Sequence, residues 1–190
     1  MSVNIVHTRR NMSFYQNLLN ERNKKIINGA YSFFCEKLDI SAEEQKMINI
    51  TTTKRLANAD GRCTGNYTRS SGELEDIDID IKIYGIFGMI ETLAHELVHA
   101  KQHLKKEFSF DYEEHTFLYF FKYNKRVFKF KGECEEDTPY FERRSEQEAI
   151  EISHKLMFDL FEHLKENNAT LTDSNLIEII NGNKDNERES

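Results

Sequence analysis

The side chains best suited to chemistry lie at residues 95–99, which read His-Glu-Leu-Val-His. On an α-helix, two histidines four residues apart lie on one face about one turn apart, so both can reach a single metal ion. The glutamate beside the first histidine then lies next to the metal and can take a proton from a metal-bound water. The spacing therefore predicts that His95 and His99 bind a metal ion and that Glu96 is a general base.

A long helix is predicted to carry these residues. From Ile86 to about Lys106 the chain contains no proline and is rich in strong helix formers. Its apolar side chains fall on one stripe at helical spacing: Ile86, Ile90, Leu93, Leu97 and Leu104. His95 and His99 lie about 160–200° from that stripe, so the stripe can pack on a core while the histidines face elsewhere. The competing interpretation is a pair of surface histidines with an accidental glutamate beside them.

A hydrolytic zinc site needs three protein ligands and an open position for water. His103 continues the four-residue spacing, but the helix rises about 6 Å over four residues, which carries His103 past the metal. The extended motif with a third histidine beyond the helix would need Gly and His where this chain has Gln102 and Lys105, so that subclass is excluded. His115 could return from a loop and is a further candidate.

A second helix supplies the favoured third ligand. It is predicted from Ser145 to about Lys165. Its apolar positions are dense enough to indicate deep packing: Ala149, Ile152, Leu156, Phe158, Leu160, Phe161 and Leu164. Ser145 fits an N-cap, with Glu148 at the capping-box position. That arrangement leaves Glu146, in the first turn, to project toward the neighbouring helix. Glu146 is therefore the predicted third ligand, and Glu148 is the alternative.

These motifs together resemble a known class of proteins. The histidine motif within residues 93–102 is followed by an aromatic-Lys-Gly at 130–132, a Pro-Tyr at 139–140 and a Glu-x-Glu-Ala at 146–149. This series looks like the small zinc metallopeptidase-like proteins of phages and bacteria. Those proteins are related to the SprT-like and ImmA/IrrE-like groups of the zincin superfamily.

The resemblance covers roughly residues 60–160 and implies both a fold and a ligand set. It implies an α+β zincin-like domain, in which a small twisted mixed sheet packs on the active-site helix and on a second, ligand-bearing helix. In that family the glutamate three residues before the alanine is the third ligand, which corresponds to Glu146. The implied site is gluzincin-like, with Zn2+ as the cofactor and a protein or peptide as the substrate.

The predicted activity is that of a zinc-dependent metallohydrolase, and in particular of a metallopeptidase. Glu96 would activate the metal-bound water and later deliver the proton to the leaving amine. A second donor to the developing oxyanion is expected, and the candidates are Tyr67, Tyr140 and Arg144.

A rival hypothesis comes from residues 119–131, where lysines and an arginine alternate with aromatic side chains. This pattern is typical of proteins that bind single-stranded nucleic acid, although alternating strands produce it without any ligand. The net charge of −7 argues against general affinity for nucleic acid. The rival function is a non-catalytic, metal-containing binding module for a host factor or nucleic acid. Glu96 favours the enzyme, because a purely structural site has no use for that carboxylate.

Composition fits one ordered domain. The 190 residues include a single proline, and a domain is predicted over residues 1–180, followed by a polar and disordered tail over 181–190. No stretch is apolar enough to span a membrane, and residues 1–10 do not resemble a secretory signal. A cytoplasmic location, in a bacterium or a phage-infected host, is therefore predicted, without membrane association.

The cysteines agree with that location. Their number is odd and their spacing does not match a zinc knuckle, so they are predicted to be reduced thiols: Cys35, Cys63 and Cys134.

The remaining elements are predicted from periodicity. They are a helix over 13–38, a strand over 47–53, a connection over 58–67, a strand over 77–83, a hairpin of 117–121 with 127–130, and a short helix over 171–180. In the strand over 77–83 four isoleucines alternate with charged residues, so one face is predicted to be buried and the other wet.

Overall fold

A three-stranded mixed sheet and two long helices form the part of the fold that positions the candidate site. The computed structural model describes residues 21–57, 59–68, 71–111, 116–123, 126–131, 139 and 142–167. Along these residues the elements follow in the order α1 (Glu21–Lys37), α2 (Ala42–Gln45), β1 (Ile48–Thr53), β2 (Gly61–Tyr67), β3 (Leu74–Lys82), α3 (Ile86–Leu104), β4 (Phe108–Asp111), β5 (Thr116–Tyr123), β6 (Arg126–Lys131) and α4 (Arg144–Glu166). The architecture is α+β, as the sequence predicted.

The mixed sheet has the strand order β1-β3-β2, so β3 is central and β2 is an edge strand. β1 runs parallel to β3, and β2 runs antiparallel to it. The alternation predicted for the central strand is confirmed. Ile77, Ile79 and Ile81 are at most 1% exposed, whereas Asp78 and Asp80 between them are partly exposed. The apolar face of β3 therefore joins the core that the helices share.

Helix α3 contacts the sheet as well as helices α1 and α4. The predicted stripe is fully buried at Ile90, Leu93 and Leu97, while its two ends, Ile86 and Leu104, are partly buried. Burial extends beyond the stripe, to Met89, Ala94, Val98 and Ala100. Because α3 has neighbours on several sides, a single amphipathic stripe underestimates how much of its surface is covered.

Helix α4 packs against α3. Ala149 and Leu160 are 0% exposed and Leu156 is 3% exposed, as the predicted deep packing requires. Two aromatic positions that the sequence analysis assigned to the same packed side, Phe158 and Phe161, are 63% and 38% exposed. The packed side of α4 is therefore narrower than its apolar composition indicated.

The start of α4 differs from the prediction. The N-cap is Arg143, whose side chain makes no capping bond, so the predicted capping box of Ser145 and Glu148 is wrong. Ser145 lies inside the first turn and is 1% exposed, and Glu148 accepts a hydrogen bond from Gln102 on α3. Contacts with α3 thus replace the local capping box.

The connection predicted over residues 58–67 is largely the edge strand β2, so that prediction is wrong. Gly61 and Gly65 lower the intrinsic strand propensity of this segment, which explains why the sequence did not indicate a strand. Pairing with β3 and close contact with α3 override that propensity.

The predicted hairpin is confirmed by the antiparallel pairing of β5 with β6. A strand that the sequence analysis did not predict, β4, pairs with the other edge of β5. Residues 13–20 of the first predicted helix, the helix over 171–180 and the tail over 181–190 lie outside the described residues. None of the described helices combines the length and the apolar character that crossing a membrane requires.

Candidate metal centre

Three ligand atoms from two helices converge on one point. His95 and His99 project from α3 one turn apart, and Glu146 projects from the first turn of α4. The Nε2 atoms of the two histidines are 3.2 Å apart, and Oε2 of Glu146 is 3.2 Å from each of them. These three side chains form the ligand triangle, and each is at most 18% exposed. Of the described residues, they are the group whose geometry could hold a metal ion.

The spacing of the ligand triangle fits a tetrahedral metal ion. Zinc–nitrogen and zinc–oxygen distances of about 2.0–2.1 Å place neighbouring ligands of a tetrahedron roughly 3.3–3.4 Å apart. The three 3.2 Å separations are close to that value. Two imidazoles and one carboxylate also leave the fourth position for water or substrate, as hydrolytic zinc sites do.

The charges in the ligand triangle favour a bound cation. The amide nitrogen of Gln102 donates to the carbonyl of Ser145 and the carboxylate of Glu148, so its Oε1 atom accepts the Nδ1–H of His99 over 2.8 Å. The Nε2 lone pair of a neutral His99 then faces the Glu146 carboxylate. Burial opposes a charged ring, but the bond to Glu146, the negative charges of Glu146 and Glu96 and the bond to Gln102 together outweigh burial and raise the pKa of His99. A proton or a metal ion between these three atoms would offset the repulsion of their lone pairs.

Glu96 lies buried beside the ligand triangle. It is 6% exposed, and burial raises the pKa of its carboxyl group although His99 and His95 nearby act in the opposite direction. The facing residue of β2 is Gly61, and a Cβ atom at that position would overlap the side chains of Glu96 and Thr92. Glycine at position 61 therefore makes the room that Glu96 occupies between α3 and the edge strand.

The ligand triangle and Glu96 face a cavity of about 890 Å³. One wall is the segment from Asp60 to Gly65, which includes most of the edge strand, and the others come from α3 and the first half of α4. This volume is in the range of cavities that bind small molecules or short peptide segments. The arrangement can thus place a substrate directly beside the three ligand atoms.

The other third-ligand candidates lie elsewhere. Nδ1 of His103 is 2.7 Å from the Tyr67 hydroxyl, and the ring lies against Gly65, so His103 is outside the ligand triangle. Burial, together with the nearby His99, lowers the pKa of His103 to about 4. Glu148 accepts from Gln102 and is also outside the triangle, whereas His115 lies outside the described residues.

The candidates for an oxyanion donor have mixed outcomes. Arg144 does not line the cavity, and its guanidinium donates to Gln147 over 3.3 Å. Tyr67 is bonded to His103, and Tyr140 lies outside the described residues.

Two further residues that line the cavity, Arg143 at the N-cap of α4 and His154 within α4, were not identified from the sequence. Arg143 is three residues before Glu146, so the two lie on the same side of the helix start. That spacing is the sequence signal that could have identified Arg143.

The two cysteines inside the described residues, Cys35 and Cys63, are free thiols. Cys35 is buried in the core. Cys63 lines the cavity between Gly61 and Gly65, and burial raises the pKa of its thiol well above the ordinary range. It is not part of the ligand triangle, and Cys134 lies outside the described residues.

Comparisons of the chain with protein-family models, with curated proteins and with solved structures found no significant match. The class of protein therefore rests on the fold and the site alone. It is an α+β protein with a possible metal centre of two histidines and one glutamate on two helices. Nucleic-acid binding by residues 119–131 stays a prediction.

Proposed function

We propose that this protein is a zinc-dependent metallopeptidase with a zincin-like site. The observation that carries the proposal is the convergence of His95, His99 and Glu146 within 3.2 Å of one another, with Glu96 buried beside them. Imidazole and carboxylate ligands suit zinc, and three protein ligands with an open position are typical of catalytic rather than structural zinc sites.

The buried carboxyl group of Glu96 supports a catalytic role. Burying an ionisable side chain costs free energy unless it is paired, and the raised pKa of Glu96 reflects that cost. A site that only held a metal ion for stability would gain nothing from this group. Buried carboxyl groups in a cleft whose pKa is shifted from the ordinary value are typical of functional sites.

The proposed chemistry assigns each group in the cavity one task. Zinc, when bound, would lower the pKa of its water and polarise the scissile carbonyl. His95, His99 and Glu146 would hold it on the cavity side of α3 and α4. Glu96 would accept the proton of the attacking water and pass it to the leaving amine. Arg62 and Arg143 line the same cavity, and either guanidinium would add positive charge near the developing oxyanion.

The edge strand supports a peptide rather than a small molecule as the substrate. β2 pairs with β3 along one edge, and the segment from Asp60 to Gly65 lines the cavity. An extended peptide can add to such an edge through main-chain hydrogen bonds, which are independent of its side chains. The two glycines of β2, Gly61 and Gly65, have no side chains, so α3 can lie close to that wall.

Metal analysis combined with digestion of a peptide library tests the proposal. We expect about one zinc per chain and cleavage products from the natural protein. E96Q should bind zinc and produce no products, because the ligands remain and the base is gone. E151Q, the same change at an exposed position of α4, should cleave normally.

Zinc binding without any cleavage by the natural protein would favour a non-catalytic binding module. A protein that binds no zinc would contradict both functions.

A further inference from the structure

Gln102 lies between the two helices that carry the ligand triangle. It is in the last turn of α3 and is 1% exposed. Its Oε1 atom is 2.8 Å from Nδ1 of His99, and its Nε2 atom is 3.2 Å from the carbonyl oxygen of Ser145 and 2.9 Å from Oε2 of Glu148. One buried amide therefore contacts a ligand residue on α3 and two residues of the first turn of α4.

We infer that Gln102 is the positioning residue of the metal centre: through these bonds it fixes both the ring of His99 and the turn that carries Glu146. The inference rests on the proposed metal site. It assigns a role to a residue whose sequence position, three after the second histidine, indicated none.

Gln102 determines the tautomer of His99. The two N–H groups of Gln102 have acceptors in Ser145 and Glu148, which fixes the orientation of the amide. Its Oε1 atom then requires a proton on Nδ1 of His99, so that the Nε2 lone pair points into the ligand triangle. The other tautomer would direct an N–H at the metal position and a lone pair at Oε1. Outer hydrogen bonds of this kind orient metal-binding imidazoles in general.

Gln102 also contacts the start of α4. The N-cap Arg143 makes no side-chain capping bond, so the start of the helix is not fixed by the usual side-chain cap. The bonds from Gln102 are to the residue immediately before Glu146 and to the residue two positions after it. The two bonds therefore lie on either side of Glu146 in the sequence, and they join the first turn of α4 to α3, which carries the histidines.

Zinc affinity of Q102M tests the inference most directly. Methionine has a similar volume and no hydrogen-bonding amide, so it fills the site but removes the bonds to His99, Ser145 and Glu148. We expect zinc to bind about 10–100-fold more weakly, the range typical of losing an outer hydrogen-bond partner of a metal ligand. The affinity is measured by competition with a chromophoric chelator. The absorption spectrum of the Co2+-loaded protein should also change, because the ligand geometry changes.

L160A is the matched control for lost stability. Leu160 is fully buried on α4, far along the helix from Glu146, so its truncation lowers the free energy of unfolding without touching the metal centre. L160A should keep the zinc affinity and the cobalt spectrum of the natural protein. If L160A weakens zinc as much as Q102M does, the effect is one of stability and the inference is overturned.

Exchanging the amide and the carboxylate between positions 102 and 148 tests the hydrogen bond from Gln102 to Glu148 separately. Q102E retains an acceptor for His99 but loses both donors and faces the carboxylate of Glu148, so zinc affinity should fall. In the double variant Q102E/E148Q the amide at position 148 can donate to the carboxylate at position 102, which restores one bond between the helices. The double variant should therefore bind zinc more tightly than Q102E.

The outcomes separate this inference from the proposed function. A natural protein that binds no zinc contradicts the proposed function. Zinc binding by the natural protein together with unchanged affinity and cobalt spectrum in Q102M contradicts the positioning role alone. A double variant that binds no better than Q102E contradicts the link between Gln102 and Glu148.

Discussion

Gly61 on the edge strand lies against Glu96 so closely that a Cβ atom at position 61 would overlap the carboxylate oxygen Oε1. The two residues come from elements that are separate in sequence, and the lack of a side chain on one creates the space for the other. The proposed general base is therefore positioned by β2 as well as by its own helix.

The first prediction is that G61A separates catalysis from metal binding. The added methyl group must displace Glu96 or β2, while the ligand triangle is untouched, so zinc affinity should stay within a few-fold. Displacement of a catalytic group by about 1 Å can lower activity roughly 100-fold, and we expect a loss of that size in kcat/KM on a peptide from the library. The control is G85A, because a Cβ atom at Gly85 meets nothing within 4 Å. Normal turnover by G61A would mean that Glu96 is not held where we place it.

The second prediction concerns which histidines bind the metal. H95A and H99A each remove one corner of the ligand triangle and should lose zinc during dialysis, as measured by metal analysis. H103A should retain zinc, because His103 is bonded to Tyr67 and lies outside the triangle. Equal loss of zinc in all three variants would show that the triangle is not the metal site.

The part of the site that lies on one helix could be predicted from the sequence, because helical geometry alone places His95 and His99 on one face. The central strand was predictable for a similar reason, since its isoleucines alternate with charged residues. Gly61 and Gln102 could not be identified, because their roles come from contacts between distant segments that leave no local pattern. The start of α4 was misassigned because a local capping box was considered without the contact between Glu148 and Gln102.

The third prediction distinguishes the two glutamates at the start of α4. E146A removes a ligand atom, so it should weaken zinc by more than the 10–100-fold that loss of an outer partner costs. E148A removes only the carboxylate that accepts from Gln102 and should have a smaller effect. Zinc titrations of the two variants side by side measure the difference. Tight binding by E146A together with loss in E148A would show that Glu148 is the ligand.

The last prediction uses His103, the partly buried histidine that is not in the ligand triangle. The pKa of His103 is lowered from 6.5 to about 4 by burial and by the nearby His99, so the folded protein keeps this ring neutral where the unfolded chain protonates it. Between these two values the unfolded state binds more protons, so stability falls as the pH falls. The contribution of His103 is thus fully present above about pH 6.5 and is lost as the pH approaches 4.

H103Q removes this titration while leaving an amide oxygen that can accept from the Tyr67 hydroxyl. Between pH 7 and pH 4.5 the natural protein should therefore lose on the order of 2 kcal/mol more of its unfolding free energy than H103Q does. Urea unfolding of both proteins with a chelator present measures this difference, and the other titrating groups, common to both, largely cancel. The same pH dependence in both proteins would show that His103 is protonated as readily in the folded state as in the unfolded chain, and that its burial against Gly65 does not keep it neutral.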